Sequence, residues 1–211
     1  MPLHVPLSLL RSSVARGAPR RIRIPEARRA AVAAVFRERD DGAELLFIER
    51  AAHPDDPWSG QIAFPGGREE PDDLDLVGTA VRETREELGL HLDGSHVLGP
   101  LDELQAGSRV RIEPLIVHPF AFALEGDAPT PAVPNEEVAA AFWVPLRDVL
   151  DPGRRIWFDA HRATVGFQFP AVDLGDGRTL WGLTHRMVFE LAARLDLIED
   201  LDALTRPRPR G

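Results

Sequence analysis

The 211-residue chain contains no cysteine, and all 25 of its basic residues are arginine. Without cysteine it has no disulfide, no thiol nucleophile and no cysteine-ligated zinc. Without lysine it has neither Schiff-base chemistry nor a Walker-type phosphate loop. Any phosphate recognition must rest on arginine, backbone N–H groups and metal. No stretch approaches the roughly 20 apolar residues of a membrane span, and no membrane partner is expected. The net charge of −9 argues against general binding to nucleic acid or a membrane surface.

The first 25 residues contain no acid, but Val5–Leu10 is too short and too broken by proline for a secretory signal. The reading is an N-terminal helix near Leu7–Ala15 with a linker over 1–25, and a cytoplasmic location. An apolar fraction of 44% suits one globular domain, placed at 26–200. The tail 201–211, where arginine alternates with proline from Thr205, is expected to be disordered.

Three carboxylates, Glu83, Glu86 and Glu87, stand at i, i+3 and i+4. Helical spacing puts them on one face. Asp72, Asp73 and Asp75 supply N-cap and first-turn negative charge, and Gly89 suits a left-handed C-terminal residue. Val77, Ala80, Val81, Thr84 and Leu88 form the expected buried stripe of a helix over Leu76–Leu88. Hard oxygen ligands on one helical face after a Gly66-Gly67 loop suit magnesium, which in such sites usually serves a phosphate substrate. The bland alternative is a solvated face in which Arg82 and Arg85 pair with their neighbours.

The longer pattern decides between them. Gly67, Asp73, Arg82-Glu83-Thr84, Glu86-Glu87 and Gly89-Leu90 together resemble the signature of the Nudix hydrolases. The loop departs from it, since Asp73 takes the acid place and lies one residue further from the arginine than in the common form. The resemblance implies hydrolysis of a phosphate anhydride with Mg²⁺, for which Mn²⁺ substitutes. It implies Glu83, Glu86 and Glu87 as ligands, completed by a carbonyl of Gly66 or Gly67, and a small nucleotide-derived substrate. Arg82 would orient a glutamate by bidentate pairing. The general base is a box glutamate, Glu83 or Glu86, or an acid of the later loop, Glu136 or Glu137. Arg50 is a candidate for a distal phosphate, with a surface ion pair as its alternative. His53 and His118 lack zinc-site spacing, and His185 is read as a helix-surface or capping residue.

Strands are expected at Ala30–Phe36, Glu44–Glu49, Val97–Leu104, Val110–Leu124 and Glu137–Val144, with short strands between Ile156 and Leu180. Leu183–Leu195 is a second long amphipathic helix. Mixed strands with helices on each side give an α/β/α sandwich with a mixed central sheet, as the resemblance also implies. Phe120 and Phe122 fit either core or the seam of a homodimer.

Segments beyond the signature are similar to the coenzyme A pyrophosphatase branch. They are Leu45–Arg50, Gly60–Gly67, Asn135–Val138, Phe142–Leu146 and Leu180–Thr184. Asp56 and Trp58 stand where that branch has arginine and histidine. Trp58 is either a stacking surface for a base or a loop anchor. The implied substrate is coenzyme A or an acyl derivative. ADP-ribose, dinucleoside polyphosphates and nucleoside triphosphates are alternatives, as is a nucleotide-binding module without turnover.

Overall fold

Strand β1 (Arg28–Arg39) is buried on both faces over most of its length. Ala34 and Phe36 enter one core, and Ala31, Ala33 and Val35 the other. Its run of alanine, valine and phenylalanine is what a strand covered on both sides needs. The computed structural model describes residues 3–52, 59–106, 114–126, 135–160 and 166–210.

Strand β2 (Gly42–Arg50) returns antiparallel to β1, with Phe36 opposite Leu45. Gly42 takes φ 118° at that turn, a conformation open to glycine. The short strands β3 (Ile62–Ala63) and β4 (Gly66–Arg68) pair with β2 and β1. Strands β5 (Val97–Pro100) and β6 (Leu104–Ala106) lie antiparallel to β7 (Leu115–Leu124), which runs parallel to β1. Strand β8 (Val138–Pro145) lies along β2. The sheet is therefore mixed, as expected from the sequence.

Helices cover both faces. Helix α1 (Leu7–Arg16), helix α3 (Leu146–Leu150) and helix α4 (Gly182–Arg194) bury Leu10, Val149 and Phe189 against one face. Helix α2 (Leu76–Leu88) packs Ala80 and Leu88 on Phe120 and Phe122 of the other. This is the expected α/β/α sandwich. Met187, Val188, Leu191 and Leu195 form the buried stripe of α4 and its end, each worth about 1.5–3 kcal/mol of burial.

The second sheet joins β9 (Arg155–Phe158), β10 (Phe167–Gly175) and β11 (Arg178–Trp181). The tail corrects the sequence expectation of disorder. Residues Leu201–Thr205 form α5, and Arg208–Pro209 form β12 against β10. Arg208 lies 4.0 Å over the Trp157 ring, and Arg210 pairs with Asp159 at 3.0 Å. Docking on a neighbouring sheet supplies order that composition alone does not reveal.

Two further expectations change. Phe120 and Phe122 are buried in the chain's own core, so β7 offers no dimer seam through them. His185 is not a surface or capping residue. It is buried and stacks on Phe189 with ring centroids 4.2 Å apart. Among the described residues no helix is long and apolar enough to cross a membrane.

Candidate active site

Helix α2 begins and ends where its sequence directs. The Asp75 carboxylate accepts from Gly78 N–H at 2.7 Å, satisfying a donor that the first turn leaves open. Gly89, at φ 64°, donates its N–H to the Arg85 carbonyl at 2.8 Å. Of the expected stripe, Ala80, Thr84 and Leu88 are buried, while Val77 and Val81 are half-buried at its margin. Thr79 and Glu87 join the buried set.

The Gly-Gly loop meets this helix through β4. Gly66 N–H donates to Glu87 Oε2 at 2.9 Å. Gly66 has φ 150°, and a Cβ there would strike the Ala31 carbonyl and the Val32 backbone. Gly67 is bare for a different reason, since a Cβ would collide with the Glu83 carboxylate. The loop glycines thus let backbone and two carboxylates occupy the same small space.

Glu87 is only 2% exposed. Burial pushes its carboxyl up to about 8, against the opposing hydrogen bond from Gly66 and with the added repulsion of Glu83. Burial also raises Glu83, opposed by Arg82 and reinforced by the charges of Glu86 and Glu137. Glu86 is about half exposed at the side chain.

Arg82 gathers this cluster. Its Nη1 donates to Glu83 Oε1 and to Glu86 Oε2, both at 3.0 Å. Its Nε and Nη2 grip Asp73 at 2.8 and 3.0 Å, and Nη2 also donates to the Arg68 carbonyl at 3.1 Å. The bidentate pairing expected with a glutamate is therefore made with Asp73. Arg82 holds the Asp73 carboxyl far below the usual carboxylate range. Asp73 also accepts from Thr79 Oγ1 at 2.8 Å.

Among the described residues no three acidic or histidine side chains already converge as a ligand set. The guanidinium of Arg82 lies between Glu83 and Glu86 instead. The donor chemistry still fits a divalent cation. Glu83 and Glu87, one turn apart, are carboxylates whose charge is disfavoured by burial, beside carbonyl oxygens of a glycine loop. Hard oxygens of this kind suit magnesium or manganese.

The later loop reaches the same place. Asn135 N–H donates to the Glu87 carbonyl at 3.0 Å, and Ala51 N–H donates to the Glu137 carbonyl at 2.8 Å. The charge of Glu137 acts on both Glu83 and Glu87, and that of Arg50 acts on Glu87. Glu136 is exposed beside them, and among the described residues its side chain forms no hydrogen bond or ion pair. Trp58, Asp56 and His53 lie outside the described residues.

Sequence reasoning missed one polar network on this face of the sheet. Glu103 and His118 are both buried, and His118 Nδ1 lies 3.0 Å from Glu103 Oε1. Arg21 donates to Glu103 Oε1 at 2.7 Å and Ile22 N–H to Oε2 at 2.6 Å. A histidine inside the apolar run of β7 was the one available signal.

The NUDIX domain family matches residues 27–163. A relative from Yersinia enterocolitica, described as an uncharacterized Nudix hydrolase NudL, is 34% identical over 154 residues, spanning 72% of this chain and 74% of its own length. Its counterpart from Yersinia pestis is 33% identical over 72% of this chain and 73% of its own. The crystal structure of a MutT/nudix family protein from Enterococcus faecalis covers 90% of this chain and 69% of its own, with a TM-score of 0.58 at 14% identity. That last likeness concerns the fold. The chain belongs to the Nudix hydrolase family, whose members generally use divalent metal ions.

Proposed function

We propose that this protein is a Mg²⁺-dependent pyrophosphohydrolase that cleaves the diphosphate of a nucleoside diphosphate linked to another group. The leading substrate is coenzyme A or an acyl-coenzyme A, with 3′,5′-ADP and 4′-phosphopantetheine as products. One observation carries the reading. The buried Glu87 carboxylate is anchored on Gly66 N–H beside Glu83, a pair whose charge calls for a cation. Glu83, Glu86 and Glu87, with a carbonyl of Gly66 or Gly67, would hold the metal, and Mn²⁺ would substitute. When bound, the cation neutralises charge on the diphosphate oxygens and makes water more acidic.

The residues of the chain divide the remaining tasks. Arg82, braced by Asp73, orients Glu83 and Glu86. Glu137 is the better placed of the two loop acids to accept a proton from attacking water, because its charge is felt by Glu83 and Glu87. Arg50 is placed to meet a phosphate near Glu87, and Trp58 remains a candidate stacking surface. The similarity of Leu45–Arg50 and Gly60–Gly67 to the coenzyme A pyrophosphatase branch supports the substrate.

A substrate panel with purified protein and Mg²⁺, resolved by chromatography, tests this. Release of 3′,5′-ADP from coenzyme A is the expected result. Cleavage of ADP-ribose, a diadenosine polyphosphate or a nucleoside triphosphate instead would keep the hydrolase and discard the coenzyme A assignment. No cleavage with Mg²⁺ or Mn²⁺, alongside retained nucleotide binding, would overturn the catalytic reading in favour of a binding module.

A further inference from the structure

The N-terminal end of α2 borders a second cavity, of about 410 Å³, within the usual range of small-molecule sites. It lies on the α2 face of the sheet. Leu76 of its wall precedes Glu83 by seven residues, or about 10 Å along a helix at 1.5 Å per residue.

Its chemistry differs from that of the glutamate cluster. His118 lines the cavity and is 9% exposed. Glu103, an obligate acceptor when ionised, takes the Nδ1 proton at 3.0 Å. The other ring nitrogen, Nε2, is buried and among the described residues has no hydrogen-bond partner. Burial lowers the imidazole's affinity for a proton despite Glu103, so Nε2 presents a lone pair. An orphaned buried acceptor costs about 1–3 kcal/mol, and a ligand N–H or O–H donor would recover it.

Two other features define what brings that donor. Phe120, Leu76 and Val77 provide an apolar wall. Arg21 and Arg29 stand at the rim with side chains about half exposed. The carboxylates near them are engaged, Glu69 by Arg29 Nε at 2.7 Å and Asp75 by Gly78 N–H. The first turn of α2 adds its positive end, which favours a phosphate.

We infer that this cavity is a second ligand site, distinct from the hydrolytic one. Its ligand is a nucleoside monophosphate whose base donates to His118 Nε2 and packs on Phe120 while its phosphate meets Arg21, Arg29 and the α2 N-terminus. The purine amine of AMP meets that pattern, and AMP is the probe.

Calorimetric titration of the full chain with AMP, in chelator and without divalent metal, tests the site apart from turnover. Saturable binding to one site is expected, weakened at least tenfold in His118→Leu and several-fold in Arg29→Ala. Both variants should hydrolyse the substrate found by the panel at the wild-type rate. Should His118→Leu fail to fold, Arg29→Ala and the imidazole ¹⁵N resonances of the wild type decide. On addition of AMP the Nε2 resonance should move and Nδ1 should stay. Absence of saturation, equal affinity in the variants, or an unmoved Nε2 resonance would overturn the site. Failure of the panel to show hydrolysis would leave this result standing.

Discussion

Asp73 and Arg82 form a two-point fork, with Arg82 Nε and Nη2 donating to the Asp73 carboxylate at 2.8 and 3.0 Å. A planar guanidinium held at two points cannot rotate freely. Its remaining Nη1 is thereby aimed at Glu83 and Glu86. The loop is one residue longer than the common family form, and the acid still reaches its arginine.

The prediction from this fork concerns Asp73→Asn. Loss of the charged acceptor should leave the glutamates less well oriented and lower turnover roughly 10–100-fold, the usual effect of losing a group that orients ligands. Arg82→Lys should fare no better, because an ammonium lacks the fork. Steady-state kinetics on the substrate identified by the panel would check both. Wild-type rates in Asp73→Asn would show that the fork is structural only.

The two loop glycines should fail differently. Gly66→Ala meets backbone at a positive φ and should destabilise the fold by about 1–3 kcal/mol, measured by urea unfolding. Gly67→Ala meets the Glu83 carboxylate, so it should depress turnover with a much smaller change in unfolding midpoint. Equal loss of stability in both would contradict the assignment of Gly67 to the site.

Glu83→Gln and Glu87→Gln should each cut turnover by several orders of magnitude and weaken Mn²⁺ binding in paramagnetic titration. Circular dichroism should remain that of the wild type. Glu87→Gln, which removes a charge disfavoured by burial, should leave the melting temperature unchanged or higher. Normal metal binding in both variants would remove the ligand assignment.

His185 makes stability depend on pH. Burial, aided by the charge of Arg155, lowers its pKa to about 4. Between that value and the ordinary one near 6.5, the unfolded chain binds more protons than the folded one. Stability from this residue is complete above about 6.5 and declines as pH falls towards about 4. The full loss is on the order of 3 kcal/mol at about 1.4 kcal/mol per pH unit. Urea unfolding at pH 7 and pH 4.5 should show the gap between wild type and His185→Gln narrowing at the lower pH. A constant gap would sink the idea.

Helix α2 was legible because local signals marked it fully. Asp75 caps it, Gly89 ends it, and apolar residues recur at helical spacing. The burial of Glu87 was not legible, because amphipathic reasoning sorts glutamate outward and only the approach of β4 covers it. His185 was misread for the same reason, since an imidazole stacked on Phe189 depends on packing across α4 and not on residue type. The order of the tail was hidden in Arg208 and Pro209, a strand of two residues that exists only because β10 offers an edge. Proline is tolerated there because an edge position does not require its missing N–H. The cavity beside His118 joins Arg21, β1 and β7, which only tertiary structure brings together.

Strand β1 takes its parallel neighbour from far along the chain, with Arg28 opposite Leu115. Pairings between such distant residues form late, because chain entropy must be surrendered before contact rewards it. A nascent chain that has emerged only through α2 already carries the three glutamates but lacks β7 beneath them. Hydrolytic competence therefore arrives with the completed sheet, and a half-made copy of this protein has the signature without the activity.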